Sequence, residues 1–582
     1  MSASSSDVVP GGRWVSRGLA ACSAGAERLR RLPVPWVIGS FVAVEWIAVA
    51  ALALTVRHNG WVFYQGGDQL WYYTLGWLLG NGQLTQTIVG YGWSVALTPL
   101  SWIFGPSLLA ALPAIVLFNV LVLLPTTMLA LYGLASRIGG RLFGYWTLLL
   151  WLVVPFVGIR YTNLGYHQRY TELTLPQSFG LTALSDFPTM VATIVSLYFC
   201  ARVATGPNSR RLLLLDGAAA GAVAGIVVAF KPSTSLFLVG PALMFLWTRR
   251  FASLGAFAAA MSPALLALAV WKARGLGNVP LFSNGLGHHG SDLAAGVPLV
   301  GLAFSKYFSN LSWSHLTQNV DQLREHFWSG RLLVWLVFAG LIGLARRSRW
   351  AVLLVGGALL PLTFVKAAYP YAQVQDGSIF RLLMPCFPMF VILLASTPLL
   401  LPGVPRRLAG WQPPIRQLPH RGRAALVVAT VVVSGIIPLA AFAAADTGSG
   451  GATAAAITNS SFTQVPVPGD VGSIDLTASV VRGHILLRWR PQRPRGSRAF
   501  YRLSRGSGPT SGLSCQSSPG ARWCVMGLPE IRVTRATSYV DRPDPGRWTY
   551  RVAVASNWLD DPGYGDVYYF SRSVTVDVPP RP

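Results

Sequence analysis

Residues 185–234 read SDFPTMVATIVSLYFCARVATGPNSRRLLLLDGAAAGAVAGIVVAFKPST. Two apolar runs, 186–204 and 212–230, flank a short basic turn carrying Arg202, Arg210 and Arg211. Each run has about the 20 apolar residues that a helix needs to cross a hydrocarbon core. In lipid the backbone polar groups must be satisfied inside each segment, so runs of this kind are helices. The stretch therefore predicts a transmembrane hairpin. Arginine collects on the cytoplasmic side of membrane proteins, so the basic turn faces the cytoplasm. The Asp186–Pro188 start and the Lys231–Pro232 end then both fall on the outer side.

The same pattern extends in both directions. Further spans are expected at 36–56, 107–134, 142–159, 233–248, 251–271, 331–345, 350–367, 382–401 and 424–444, about eleven in all. Arg137/Arg141, Arg249/Arg250, Arg346/Arg347/Arg349 and Arg406/Arg407/Arg416/Arg421/Arg423 alternate in register with the first basic turn. They share its side with the N-terminal cluster Arg13, Arg17, Arg28, Arg30 and Arg31. The expected fold is thus a polytopic α-helical membrane protein, N-terminus in and C-terminus out, multi-pass in the plasma membrane. Segment 1–34 is a cytoplasmic leader into a retained helix, because no small-residue cleavage site follows a short apolar core. Composition agrees: of 582 residues 52% are hydrophobic and 12% charged, with 47 Lys+Arg against 21 Asp+Glu and a net charge of +26. Soluble domains carry about 25% charged residues. The basic residues punctuate apolar runs rather than forming one patch, which argues against nucleic-acid binding. Five cysteines are too few for a disulfide scaffold.

The long loops 57–106, 160–185, 272–330 and 368–381 all fall outside. The first is dense in Trp and Tyr, which suits a surface lying in the membrane interface, with 93–104 as a short interfacial helix. The membrane domain spans 35–444, and the small-residue linker ADTGSGGATAAAITNSS follows at 445–461. Residues 462–582 hold short alternating runs such as HILLRWRP and RWTYRVAVAS, which predict an extracytoplasmic β-sandwich. Trp489 and Tyr550 sit where a fibronectin type III domain has its core Trp and corner Tyr, so this domain resembles that fold. Cys515 and Cys524 form a plausible disulfide there, since extracytoplasmic compartments are oxidising.

The outer side holds charges that need an explanation. Asp68, in FYQGGDQLWYY, is the single carboxylate between Arg57 and Arg137. It is a solvated loop acid, a helix cap, or a functional group beside the membrane, where charge is costly. Asp186 is either the cap of its helix or a site acid. Glu172 shares the outer loop with His167 and Arg169 and supplies either a second acid or a surface pair. Only four residues are Lys, and Lys231, Lys272, Lys306 and Lys366 all fall on the outer side, as does Arg381. They form a collar for an anionic headgroup, or each snorkels to the interface. His288, His289 and Asp292 make a loose cluster without a fourth ligand, so no metal site is assigned. Glu45 lies within the first span with its role open. The sequence contains no P-loop, GxGxxG, nucleophile elbow or HExxH, which excludes ATP-driven transport by those devices.

Five features in order resemble the integral-membrane C-type glycosyltransferases. These are GGDQ at 66–69, YGWSVALTPLSWIFGPS at 91–107, SDFPT at 185–189, AGAVAGIVVAFKPST at 220–234 and RLLMPCFP at 381–388. The resemblance covers about residues 36–401 and departs from the family in having one acid followed by Gln69 rather than a pair. It implies transfer of a sugar from a polyprenyl-phosphate donor to a cell-envelope glycan, lipid or protein, with inversion at the anomeric carbon. It implies Asp68 as general base and Asp186 as a second catalytic carboxylate. Gln69, Glu172, Lys231, Lys366 and Arg381 would bind substrate, with membrane lipid around them. No nucleotide or redox cofactor is implied. A flippase of lipid-linked glycans and a non-enzymatic envelope scaffold are the rival expectations.

Overall fold

The computed structural model describes residues 29, 31–55, 68–84, 90–105, 108–160, 176–206, 209–276, 311–326, 328–369, 378–401, 420–446, 471–481, 483–490, 498–508, 513–518, 521–526, 530–534, 536–557 and 567–580. Among these, eight helices are long and apolar enough to cross a membrane. They are Val34–Ala53, Ala111–Gly139, Asp186–Thr205, Arg210–Phe230, Phe251–Trp271, Arg349–Ala367, Ile379–Leu400 and Arg421–Ala444. Three more expected spans are helical without meeting that standard, at Arg141–Phe156, Pro232–Trp247 and Trp328–Arg347. The chain is a polytopic helical membrane protein followed by a region of β-sheet.

The first helix, α1 (Val34–Thr55), is followed by α2 (Asp68–Gly80) and α3 (Tyr91–Phe104), which pack on each other. Helix α4 (Leu108–Phe118) runs through a π turn at Asn119–Leu123 into α5 (Leu124–Gly139). Pro125 removes an amide from the ladder at that junction. The span expected at 107–134 therefore runs on to Gly139. Helix α6 (Arg141–Arg160) returns, and a single short turn, α7 (Pro176–Gly180), precedes the hairpin of α8 (Asp186–Thr205) and α9 (Arg210–Phe230).

Helix α9 is the centre of the bundle because its inner face is nearly all Gly and Ala. It packs against α8 and against α11 (Phe251–Leu276). Gly217, Gly221 and Gly225 form a seam four residues apart. A Cβ at Gly217 would lie 2.7 Å from the Ser253 carbonyl oxygen, and one at Gly221 would collide with the Phe257 backbone. Small residues at this spacing allow two helix backbones to approach closely in a membrane. Between α9 and α11 lie a 3-10 turn, Pro232–Leu238, and α10 (Val239–Trp247). The remaining helices are α12 (Trp313–His326), α13 (Trp328–Arg347), α14 (Arg349–Ala367), α15 (Ser378–Leu383), α16 (Phe387–Ser396), α17 (His420–Val431) and α18 (Ile437–Ala444), the last two joined by a π turn.

The described part of the aromatic loop packs many of its rings into the bundle. Tyr72, Tyr73, Tyr91 and Trp93 are buried, while Trp102 is exposed. Tyr91 is a peg between three elements. Its hydroxyl donates to the carbonyl of Ser434 and lies 3.2 Å from that of Ala264, and its ring meets Phe442 edge-on at 5.1 Å. Beyond α18, the Asp446 amide donates to the Gly82 carbonyl and the Leu84 amide donates to the Asp446 carbonyl, both at 2.8 Å. The exit from the last helix is thereby clasped to the turn after α2.

The C-terminal strands form two layers over one core. One sheet has the order β1 (Val471–Ile474), β10 (Val567–Ser571), β9 (Gly546–Asn557), β4 (Arg498–Ser507), β7 (Glu530–Thr534), with β11 (Val574–Val578) also on β9. The second is β2 (Leu476–Val481), β3 (His484–Trp489), β8 (Ser538–Asp541). Leu476, Ile485, Leu487 and Trp489 from the smaller sheet share a cluster with Tyr501, Leu503, Tyr550 and Val552 from the larger. The Tyr550 hydroxyl donates to the Asp541 carboxylate at 2.6 Å, and burial together with that carboxylate pushes the phenol pKa up. In the hairpin of β5 (Leu513–Ser518) and β6 (Ala521–Met526), Cys515 stands directly opposite Cys524.

Candidate functional site

Asp186 opens α8 with no exposed surface. Lys231 follows the last residue of α9 and is held there by its own amide, which donates to the Val227 carbonyl at 2.9 Å. Pro232 then turns the chain away, which fixes Lys231 at the helix end. The Lys231 ammonium donates to Asp186 Oδ1. From the far side of the sequence, Arg381 on α15 donates through Nε to Asp186 Oδ2 at 3.1 Å. One carboxylate therefore holds two cations, one on each oxygen.

Asp186 does not act as the cap of its helix. Its carboxylate pairs with side chains, and Ser185 at the helix N-cap position makes no capping bond either. The Ser185 hydroxyl donates instead to the Tyr72 hydroxyl at 2.8 Å. Lys366, in the last turn of α14, is buried within electrostatic reach of both Lys231 and Asp186 and stands 5.9 Å from the Tyr369 ring. The Arg381 side chain remains 28% exposed while Asp186 is covered, so the cluster opens on its arginine side.

Two cations on one carboxylate, with the buried Lys366 amine beside them, leave excess positive charge at one end of the bundle. Arginine and lysine there can bind a phosphate through charge-assisted hydrogen bonds.

The segment leading into Asp186 is irregular and buried, so its backbone needs partners. Three elements supply them, and a fourth group steadies the turn before it. The Ala183 amide donates to Gln69 Oε1 at 2.7 Å, and Trp93 Nε1 donates to the Ala183 carbonyl at 2.7 Å. Asn119 Nδ2, carried on the π turn, donates to the Thr182 carbonyl at 2.9 Å. Gln177 Nε2 and Trp151 Nε1 both donate to Glu45 Oε1 at 2.9 Å. Tyr73 anchors α2 from its other side by donating to the Gly105 carbonyl at 2.8 Å, and burial raises its pKa to about 12.

The expected site residues thus divide into groups. Asp186, Lys231, Lys366 and Arg381 come together. Gln69 is buried against the segment that carries Asp186. Asp68 is the first residue of α2, one position before Gln69 and four before Tyr72. That places the start of α2 against residues 183–185, although the Asp68 side chain lies outside the described residues. Glu172, Lys306, His288, His289 and Asp292 lie wholly outside them, as does the Lys272 side chain.

Sequence reasoning missed the supporting residues Trp93, Asn119, Trp151 and Gln177. It also missed Asp216, whose carboxylate pairs with Arg202 at 3.3 Å and Arg423 at 3.1 Å. An acid inside the run LLLLDGAAAG was the available signal.

No protein-family model and no curated protein matches the chain. Three solved structures of an Archaeoglobus fulgidus oligosaccharyltransferase are similar to it at 14% identity, each covering 70% of this chain. The apo form aligns with a TM-score of 0.41 over 56% of its own length. The complex with Zn and sulfate aligns at 0.39 over 53%. The same organism's oligosaccharyltransferase AglB, in complex with an inhibitory peptide and a dolichol-phosphate, aligns at 0.35 over 55%. The chain spans little more than half the length of these structures.

Proposed function

We propose that this chain is an integral-membrane glycosyltransferase. It moves a sugar from a polyprenyl-phosphate donor to a hydroxyl of a cell-envelope glycan, lipid or protein, at the outer face of the membrane. The observation that carries this reading is the convergence of Lys231, Arg381 and Lys366 on the buried Asp186, beside the helix that begins at Asp68.

The chemistry assigns each group a task. The donor phosphate sits on the cationic cluster, entering from the exposed Arg381 side, with its lipid tail between helices. The acceptor oxygen bonds to the anomeric carbon as the bond from that carbon to the phosphate oxygen breaks. The electron pair leaves with the polyprenyl phosphate, and the hydroxyl proton passes to the Asp68 carboxylate. The cations stabilise charge as it develops on the leaving phosphate. Attack opposite the leaving group inverts the anomeric centre. Asp186 is a positioning residue in this scheme, since both of its oxygens already hold cations.

The test uses the protein in lipid nanodiscs with a panel of radiolabelled polyprenyl-phosphate sugars and a glycan acceptor. Wild type should transfer label, and Asp68→Asn should lose about 10²–10⁴-fold in turnover with unchanged melting temperature. Full transfer by Asp68→Asn would remove the assigned base. Wild-type turnover in Lys231→Met would remove the phosphate role of the cluster. Flipping of a lipid-linked glycan by wild type in vesicles, without transfer from any donor, would replace the enzyme with a transporter.

A further inference from the structure

The helix pair that carries Asp186 and Lys231 at one end carries a second charge cluster at the other. Arg137 lies in the last turn of α5, Arg202 in the last turn of α8, Asp216 in the second turn of α9 and Arg423 in the first turn of α17. Asp216 pairs with Arg202 and Arg423, both almost fully buried. Arg137 joins from the side. It donates to Thr205 Oγ1 at 3.1 Å, and its guanidinium stands 5.7 Å from the Tyr198 ring centroid, with that of Arg202 at 5.8 Å.

Among the described residues charge does not balance here. Two guanidinium groups pair with the Asp216 carboxylate and that of Arg137 lies beside them, which leaves two positive charges over in a partly dehydrated setting. Arg423 Nε is buried and has no hydrogen-bond acceptor among the described residues. Arg137 and Arg202 sit at helix C-termini, where the helix dipole favours a cation. Arg423 sits at a helix N-terminus, where it favours an anion instead. A second N-terminus, that of α9, meets it there with Arg210 and Arg211 exposed.

We propose that this end of the bundle binds an anionic phosphate, held by Arg137, Arg202 and Arg423 around Asp216. A phospholipid headgroup is favoured over soluble phosphate by what lies beside it. Leu426 and Val428, within two turns of Arg423 on α17, are exposed, as is Leu129 two turns before Arg137. Apolar surface of this kind accepts acyl chains below a headgroup seated on the arginines. Basic pockets between membrane helices hold lipid phosphates in this way. The site is separate from the Asp186 cluster and does not depend on the proposed reaction.

The experiment follows thermal unfolding of the whole protein in phosphatidylcholine nanodiscs, with phosphatidylglycerol or with inorganic phosphate added. Anionic lipid should raise the melting temperature of wild type by a few degrees and bind about fivefold more weakly to Arg137→Gln. Asp216→Asn removes the counter-charge that Arg202 and Arg423 share, so it should bind phosphatidylglycerol more tightly and regain stability as that lipid is added. A shift with inorganic phosphate alone would keep the site and assign it to a soluble anion. Equal melting temperatures for wild type in all three conditions would overturn the proposal. So would an Asp216→Asn loss of stability that phosphatidylglycerol does not restore, which would leave the cluster as a clamp between helices.

Discussion

Asp186 and Lys231 lie at adjoining ends of an antiparallel helix pair and form an ion pair whose carboxylate has no exposed surface. Desolvating two charges offsets much of their attraction, so a buried ion pair adds little net stability over an apolar contact. Removing one partner is far more costly than removing both. Asp186→Asn should therefore destabilise the protein by about 3–5 kcal/mol, because it leaves Lys231 and Arg381 without their carboxylate. Combining it with Lys231→Met should recover part of that loss but none of the transfer activity. Thermal unfolding and turnover of the two single variants and the double variant check both statements.

The glycine seam between α9 and α11 predicts a sharp contrast between two positions. Gly221→Leu places a side chain where a Cβ already collides with the Phe257 backbone, and should cost about 1–3 kcal/mol or more. Gly255→Ala, with nothing within 4 Å of its Cβ position, should leave stability unchanged or slightly raise it. Melting temperatures in detergent compare the two.

Glu45 accepts hydrogen bonds from Trp151 and Gln177 on a single oxygen. Glu45→Gln preserves an acceptor there and should be mild. Glu45→Leu strands both donors in a buried site, at about 1–3 kcal/mol each. It should also loosen the turn at Gln177 that leads towards Asp186. Unfolding temperature reads the first effect, and protease cleavage near residues 176–185 reads the second.

Opposed positions in an antiparallel pair place Cα atoms about 4.5–5.5 Å apart, within the range a disulfide spans. Cys515 and Cys524 should therefore be resistant to alkylation until the protein is reduced. Closing a loop this short contributes at most about 2.5–3 kcal/mol by chain entropy. Cys515→Ser should lower the melting temperature of the sheet region accordingly and leave the helical bundle unaffected.

Much of the helical architecture was legible because apolar run length and arginine spacing are one-dimensional properties. All the expected spans fall on helices, and Asp186 and Lys231 were legible as lying on the same outer side, though their pairing was not. Pairing between distant segments was not legible. Nothing local to Arg381 shows that it reaches Asp186, and nothing local to Gln69 shows that it faces Ala183. The burial of Tyr72, Tyr91 and Trp93 was not legible for a related reason. Trp and Tyr suit an interface, but they equally suit a buried irregular segment whose carbonyls need donors, and Trp93 serves Ala183 in that way. Asp216 was missed because one acid in a Gly/Ala-rich span looks incidental until Arg423 arrives from two hundred residues away.

The α8–α9 hairpin also acts as a ruler. Sixteen residues separate Asp186 from Arg202, which at the rise of an α-helix is about 24 Å. A bilayer's hydrocarbon core is about 30 Å thick. The two fixed charges are thus closer together than the two headgroup planes they face. Either the membrane thins around this hairpin or one charged end sits submerged beneath the lipid phosphates. In both cases bilayer thickness becomes a variable of this protein, and the donor phosphate proposed to sit on Lys231 and Arg381 would have to descend from its usual depth to arrive there.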